Sequence, residues 1–212
     1  MTKSGIASLA ALALLLALPA LGVAQPGAPV AKPEVKVDDR WLYRRNDRRV
    51  KPPAFTYEMR VTFVDARVIH TILARQGMRS ESDATFTPEW SGVVSIDEGV
   101  MHVEAGLLQF PLLVGRSYKA AWEMRRPRRG DFHVRHERTV KVVGWEEIEV
   151  PAGKFRALKV EAEGTYRRLD KQAGDWARNT IWYVPQVRRW VKNVYKDAQG
   201  EIGEELVFYR LQ

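Results

Sequence analysis

The sequence predicts an all-β protein with a single domain, built on an antiparallel curved sheet that forms a sandwich or an incompletely closed barrel, with little helix. Two observations support this prediction: apolar residues alternate with polar ones in several stretches, and turn signals recur every dozen or so residues. The chain has 212 residues, which is the size of one ordinary domain. Residues 41–212 contain no repeat of fixed period and no linker, so we assign them to one antiparallel β domain.

The alternation is clearest in residues 55–63, where five large apolar residues alternate with polar or charged ones. A period of two places all five apolar side chains on one face of an antiparallel strand. Similar patterns are found in residues 140–150, 155–163, 181–183, 187–195 and 206–211. Residues 66–77 are the one stretch with a helical alternative, but their β-branched residues favour a strand. Gly144 interrupts its run and predicts a β-bulge.

The first 24 residues have the features of a cleaved signal peptide. Lys3 is a positive residue before the apolar run of residues 6–18, and Gly22 and Ala24 are small residues before a cleavage site at Gln25. The apolar run is shorter than the roughly 20 residues that span a bilayer, so we expect no transmembrane anchor after cleavage. Residues 25–40 are rich in Pro and Ala and are predicted to be a flexible leader. The predicted location is the periplasm or the extracellular medium.

Composition excludes several classes of function. The chain has no Cys, which excludes disulfides, thiolate catalysis, Cys-ligated metals and a lipidated N-terminal Cys. The formal net charge is +8, from 34 Lys and Arg against 26 Asp and Glu. Outside the cytoplasm the usual anions are lipids and polysaccharides, so we expect this positive charge to have no nucleic-acid partner.

Three motifs occur in order along the second half of the chain: Phe-Pro-Leu-Leu-Val-Gly in residues 110–115, Pro-Ala-Gly-Lys-Phe in residues 151–155, and Trp-Tyr-Val-Pro in residues 182–185. This series resembles a broad family of uncharacterised secreted or periplasmic all-β proteins of Gram-negative bacteria, over roughly residues 106–211. A more distant likeness, in architecture alone, is to half-barrels that carry lipoproteins or lipids across the periplasm. The resemblance implies a fold and a compartment, and it carries over no catalytic residue.

Each motif has a structural explanation. Pro-Ala-Gly at residues 151–153 is typical of a tight turn between two strands, because proline fixes φ and glycine accepts a positive φ. Trp182 and Tyr183 are adjacent, so on a strand one ring points inward and the other outward. Pro185 cannot donate to a strand ladder and is predicted to end that strand or to mark an edge.

No constellation of residues indicates catalysis or a cofactor. His133 and His136 are three residues apart, a spacing that places them on opposite faces of a strand and argues against a shared metal ion. His102 and Glu104 could share a strand face, although a surface pair explains them as well, and His70 has no recognisable partner. Motifs for serine hydrolases, zinc proteases and phosphate-binding loops are absent. We therefore predict a protein that is not an enzyme, with no metal site and no cofactor.

Clustered arginines are the most distinctive feature of the sequence. Guanidinium groups bind phosphate and carboxylate through several parallel donors, and nearby tryptophans could stack on arginine or on sugar rings. The candidate anion-binding residues are Arg44, Arg45, Arg48 and Arg49 with Trp41, and Arg125, Arg126, Arg128 and Arg129 with Trp122. The competing interpretation is solubility, since charged outer strand faces prevent edge-to-edge association.

These observations favour a non-enzymatic periplasmic β-scaffold that binds an apolar or amphiphilic ligand, or a protein partner of the cell envelope. Large apolar and aromatic side chains on strands supply a concave surface, and basic rims could meet anionic head groups. One alternative is a basic surface protein that binds an anionic envelope polymer or lipid head groups. Another is an envelope hydrolase whose catalytic residues are dispersed along the sequence.

Overall fold

The computed structural model describes residues 27–47, 49, 51, 53–94, 100–126, 132–171 and 173–212, and these form an all-β antiparallel domain. The strands are β1 (Arg40–Asp47), β2 (Ala54–Val64), β3 (Ile69–Arg75), β4 (Glu81–Phe86), β5 (Gly92–Val94), β6 (Val100–Ala105), β7 (Ser117–Arg126), β8 (Phe132–Val150), β9 (Gly153–Arg168), β10 (Ala173–Val184), β11 (Arg189–Asp197) and β12 (Gly200–Arg210). Each strand pairs with its neighbours in sequence, and β1 also pairs with β12. The predicted all-β fold is confirmed, and the sheet closes into a barrel.

Among the described residues, the strand pairing of the barrel wall is shortest at β5. This strand has three residues, and its one pair with β6 within the described ranges is Val94 with Val100. Its pairing with β4 has two residue pairs and contains a register shift between Thr85 and Phe86. By contrast, β8 and β9 pair without a gap from Val150 and Gly153 at their hairpin to the far end of the barrel, apart from one bulge.

Because consecutive strands are antiparallel neighbours, the connections alternate between the two ends of the barrel. Strands β1, β3, β5, β7, β9 and β11 run towards one end, which we call the arginine end because β1 and β7 carry described members of both predicted arginine clusters. The connections that follow β2, β4, β6, β8 and β10 lie at the other end, which we call the capped end.

Two irregular segments cover the capped end. The β6–β7 connection, residues 106–116, buries Leu108 and Leu112 and contains a cis peptide bond between Phe110 and Pro111. Val30 pairs with Leu112 through backbone hydrogen bonds of 2.8 and 2.9 Å. Part of the segment expected to be a leader, residues 25–40, therefore packs against the barrel, and the folded region begins before the boundary expected at residue 41. The predicted signal peptide, residues 1–24, lies outside the described residues.

Alternation along the strands separates an apolar interior from a charged outer surface. Every second residue of β8 from Val134 to Val142 faces inward; all of these are buried except His136, which is half-buried, and their neighbours carry outward charges such as Arg135 and Lys141. Outward-facing ion pairs join adjacent strands, for example Arg178 with Glu163 at 2.7 Å. No helix among the described residues is long and apolar enough to cross a membrane.

Several local predictions are confirmed. Residues 69–75 form a strand, as their β-branched residues predict. The register of β8 and β9 shifts between Val142 and Gly144, which is the predicted bulge. Strand β10 ends at Val184, and Pro185 begins a short 3-10 turn. Tyr183 is fully buried, whereas Trp182 faces the other side, where its indole N–H donates to Glu146.

Candidate ligand-binding site in the barrel interior

A cavity of about 190 Å³ lies inside the barrel. One wall comes from β6 and β7, with Val103 and Trp122, and the opposite wall comes from β10 and β11, with Ile181 and Trp190. These two walls lie on different sides of the ring of strands, so the space between them is the barrel interior. The cavity extends to Glu89 in the β4–β5 connection, next to β5, where the strand pairing is shortest. An apolar cavity with a few polar atoms is typical of small-molecule sites.

Two polar atoms in the lining residues are buried without a hydrogen-bond partner in the protein. They are the indole Nε1 of Trp190, a residue only 9% exposed, and the amide Oδ1 of Asn193. Leaving a buried polar group unpaired costs roughly 1–3 kcal/mol, so such groups usually have a partner. In this cavity the partner would come from a ligand or from water.

Arg189 lies behind the aromatic wall of the cavity and is only 1% exposed. Its guanidinium carbon is 3.9 Å from the ring centre of Trp190 and 4.2 Å from that of Trp90, both of which line the cavity. Nη1 contacts the sulfur of Met59 at 2.6 Å, and Nε has no partner. Among the described residues this guanidinium forms no ion pair with a carboxylate. Aromatic faces stabilise a cation but do not neutralise it.

The turn before β11 explains how Arg189 is positioned. The 3-10 turn Pro185–Val187 is followed by Arg188 in the left-handed conformation, with φ of 60°, and this reverses the chain into β11. Two indoles hold the turn: Trp41 donates to the Val187 carbonyl at 2.9 Å, and Trp90 donates to the Arg188 carbonyl at 2.8 Å. The aromatic side chains around Arg189 therefore also fix its backbone.

A second arginine, Arg138, is buried on the other side of the cavity. It is 2% exposed, and its guanidinium carbon is 5.5 Å from the ring centre of Trp122, a lining residue. Nη1 donates to the backbone carbonyls of Glu137 and Thr165, and Nη2 lies 3.3 Å from Nδ1 of His136. Nε has no partner. Burial lowers the pKa of Arg138, which also forms no ion pair with a carboxylate among the described residues.

The structure distributes the first arginine cluster over both faces of β1. Arg44 points outward to Glu205, at 2.8 Å, whereas Arg45 points inward to Glu204, also at 2.8 Å. Arg49 pairs with Asp47 at 3.1 Å, and Arg48 lies outside the described residues. Burial opposes ionisation of Asp47, but hydrogen bonds from Arg49 and Arg45 outweigh it and lower the pKa. Much of this cluster is therefore paired with carboxylates of the same chain.

The second cluster lies at the same end of the barrel as the first but on the opposite side of the ring, since β1 and β7 are separated by five strands in either direction. Arg125 is exposed and forms no ion pair with the described residues. The guanidinium of Arg126 is 5.3 Å from the ring centre of Phe132. Arg128 and Arg129 lie outside the described residues.

The two tryptophans predicted to accompany the clusters are both interior residues. Trp41 is completely buried, and the arginine nearest its ring is Arg189, at 5.7 Å, not a member of the first cluster. Trp122 lines the cavity and contacts Arg138. Because Trp41 is buried, it cannot take part in a surface site with the first arginine cluster. Trp122 belongs to the interior cavity and not to a surface site with the second cluster.

The histidines are distributed as the strand geometry predicts. His133 points outward and lies 2.8 Å from Glu123, and His136 points inward, so the two do not share a site. Glu104, which was considered together with His102, pairs instead with Arg135 at 2.6 Å. No group of three His, Asp or Glu side chains within the described ranges could hold a metal ion.

Sequence reasoning missed the residues on which the interior site depends: Arg138, Arg189, Trp190 and Asn193. Arg188 and Arg189 are adjacent in the sequence, but Arg188 belongs to the turn and only Arg189 to strand β11. Neither the depth at which Arg189 is buried nor its aromatic surroundings could be derived from that spacing, because they depend on contacts with β1 and the β4–β5 connection.

Comparisons with known proteins support the fold. No protein-family model and no curated protein matches the chain. Among solved structures, the chain is similar to a candidate lipoprotein of Parabacteroides distasonis, with a TM-score of 0.55 and 11% identity over 86% of this chain and 100% of that one. It is also similar to a candidate exported protein with a YmcC-like fold from Bacteroides fragilis, with a TM-score of 0.52, 13% identity and the same coverage. At these identities the likeness is one of fold.

Proposed function

We propose that this protein is an exported, non-enzymatic β-barrel of the cell envelope that binds a small apolar or amphiphilic ligand in its interior. The observation that carries the proposal is the cavity of about 190 Å³ between β6–β7 and β10–β11, lined by Trp122, Ile181 and Trp190. An apolar cavity of about 150 Å³ is large enough to bind benzene. This one accommodates one ring system or a short acyl chain.

Fold similarity to exported proteins and the sequence of residues 1–24 both support export. Expression of the full chain with a C-terminal tag in a Gram-negative host tests this part. We expect a product shortened by about 24 residues in the periplasmic fraction, identified by N-terminal sequencing. A full-length product confined to the cytoplasm would contradict it.

Ligand binding is tested with 1-aminoanthracene, a small uncharged dye whose fluorescence rises in apolar surroundings. We expect saturable binding to the purified protein with one site per chain. Val103→Phe places a larger side chain in the cavity and is expected to weaken dye binding at least tenfold. Its matched control is Val143→Phe, because Val143 is exposed on the outside of β8.

Equal dye binding by the two variants would place the dye elsewhere on the protein and count against an interior site. Both variants need to retain the β-type circular-dichroism spectrum of the parent, so that loss of binding reports the cavity and not unfolding.

A second candidate function is binding of an anionic envelope polymer at the arginine end. The observation that favours it is topological: β1 and β7 bring both arginine clusters to one end of the barrel. Purified lipopolysaccharide is a suitable probe, and binding should weaken as salt rises, because exposed charges are screened. Arg125→Glu is expected to weaken binding more than Arg67→Glu, a control on an exposed residue at the capped end. Equal effects, or binding insensitive to salt, would argue against this function.

A further inference from the structure

The buried charges of the barrel do not balance. The described residues include four buried carboxylates, and each is paired with an arginine other than Arg138 or Arg189: Asp39 with Arg188, Asp47 with Arg45 and Arg49, Asp197 with Arg49, and Glu204 with Arg45. Arg138 and Arg189 are the buried arginines of this region without such a partner. Among the described residues this network therefore has five arginines against four carboxylates, a net charge of +1, and two of its guanidinium groups have no carboxylate partner.

Both guanidinium groups without a carboxylate partner lie next to the cavity, on different sides of it. Arg189 contacts the lining rings of Trp90 and Trp190, and Arg138 contacts the lining ring of Trp122. A negative group inside the cavity would be separated from each guanidinium by a single aromatic ring. In these buried surroundings charges interact more strongly than in water. Among the described lining residues the carboxylate is that of Glu89, at the outer edge, which pairs with Lys32 at 3.8 Å.

The unpaired polar atoms point to the same chemistry. The Trp190 indole N–H can only donate, so a ligand that meets it would offer an acceptor. The amide of Asn193 can present either its oxygen or its nitrogen to the cavity. The unpaired Nε atoms of Arg138 and Arg189 are also donors. Donors predominate around this cavity, as expected for a site that binds an anion.

We propose that the cavity binds an anionic amphiphile, whose charged group accepts a hydrogen bond from the Trp190 indole and is stabilised by Arg138 and Arg189. This inference rests on the proposed function, because it specifies the ligand of the same cavity. The shared chemistry is one negative group, either a carboxylate or a phosphate, attached to a short apolar chain.

Competition against bound 1-aminoanthracene tests the charge preference on the unmodified protein. Octanoate, octyl phosphate and octan-1-ol share one apolar chain, and the alcohol is the uncharged control. At pH 7.5 we expect at least one of the two anions to displace the dye at about tenfold lower concentration than the alcohol. The anion that competes better identifies the preferred head group.

The outcomes separate this inference from the proposed function. If the dye binds and the alcohol competes as well as both anions, the cavity is a ligand site but the anion preference is wrong. If the dye binds and none of the three competes, the inference is also wrong. If the dye does not bind and no anion binds by calorimetry, the proposed function fails.

Two variants then assign the preference to residues. Arg189→Met removes the charge but keeps a long side chain, and it should reduce the anion preference to about twofold without changing displacement by the alcohol. Arg178→Met is the matched control, because Arg178 lies on the outer surface, paired with Glu163. If Arg189→Met does not fold, Trp190→Phe keeps an aromatic ring while removing the N–H donor, and it should weaken the anion about fivefold. An unchanged preference in the folded variants would overturn the assignment.

Discussion

The imidazole of His136 lies parallel to the indole of Trp122, with ring centres 4.8 Å apart and planes inclined by 9°. On the same strand, Nη2 of Arg138 lies 3.3 Å from Nδ1 of His136. Burial, and then the charge of Arg138, lower the pKa of His136 to about 3. The ring is therefore neutral in the folded protein near neutral pH, and Nδ1 accepts the hydrogen bond from the guanidinium.

This histidine makes stability depend on pH in a defined window. In the unfolded chain its pKa returns to about 6.5, so below that pH the unfolded state binds one proton more than the folded state. The contribution of His136 is fully present above pH 6.5. As pH falls from 6.5 towards 3, the free energy of unfolding should decrease by up to about 1.4 kcal/mol per pH unit. Urea denaturation at pH 7.5, 6, 5 and 4 measures this slope.

His136→Phe keeps an aromatic ring against Trp122 and removes the titrating group, so its slope below pH 6.5 should be shallower than that of the parent by one proton. His70→Phe is the matched control, because His70 is exposed and lies on the outer side of β3. Equal slopes for the parent and His136→Phe would show that the imidazole binds its proton over the same pH range in the folded protein as in the unfolded chain.

The strand pattern of this fold could be predicted because each strand has one solvent-exposed and one buried face. This imposes a period of two on the residues of strands such as β2 and β8. Closure of the sheet could not be predicted, because it depends on pairing between β1 and β12, at opposite ends of the sequence. The capping role of Val30 depends in the same way on a contact with Leu112, which no local pattern reveals.

The candidate site was harder to predict than the fold. A run of arginines in a sequence is compatible with solvation, ion pairing or burial. The structure assigns Arg44 and Arg45 to opposite faces and pairs both with glutamates of β12. Arg138 resembles other charged residues of β8 in sequence, yet it occupies an inward position of that strand, next to Trp122. Its burial follows from strand parity only once the start and register of β8 are known.

Gly164 of β9 is expected to be intolerant of any side chain. A methyl group there would overlap the carbonyl oxygen of Glu137 and lie 3.0 Å from the Cα of Arg138. Both of these are backbone atoms of the paired strand β8, which cannot move aside without disturbing the barrel wall. Gly164→Ala should therefore reduce the free energy of unfolding by at least about 2 kcal/mol, measured by urea denaturation.

Gly203 of β12 provides the comparison, because a methyl group there would meet no atom within 4 Å. Gly203→Ala should change the free energy of unfolding by less than about 1 kcal/mol, because the loss of backbone freedom in the unfolded state offsets any small cost in the strand. Similar losses for both variants would show that strand glycines are required in general, and not because of the close approach of β8 and β9.

The hydroxyl of Tyr43 links β1 to β11 through a hydrogen bond of 2.7 Å to the Trp190 carbonyl. Burial raises the pKa of Tyr43 well above its usual range, so the hydroxyl stays protonated and donates. Tyr43→Phe would remove this buried hydrogen bond, at a cost of about 1 kcal/mol in the free energy of unfolding. Tyr209→Phe, at a half-exposed position of β12, should cost less than about 0.5 kcal/mol. Losses of equal size would contradict a structural role for the Tyr43 bond.

Asp39 joins three separate parts of the chain at the capped end. It is completely buried, and its carboxylate accepts hydrogen bonds from Arg188 at 2.8 and 2.9 Å. It also accepts hydrogen bonds from the backbone N–H groups of Lys36 and Gln212, both at 2.9 Å. The segment before β1, the turn before β11 and the residues after β12 therefore share one buried anion.

Removing this charge should be costly, because a largely buried guanidinium would lose its partner while three segments lose a common acceptor. We expect Asp39→Asn to reduce the free energy of unfolding by roughly 3 kcal/mol. Glu205→Gln is the matched control: Glu205 also contacts two cations, Arg44 and Lys192, but on the outer surface, where the expected loss is below about 1 kcal/mol. Urea denaturation of both variants measures the difference. A loss for Asp39→Asn no larger than that for Glu205→Gln would mean that the buried pair recovers little more than the cost of its own desolvation.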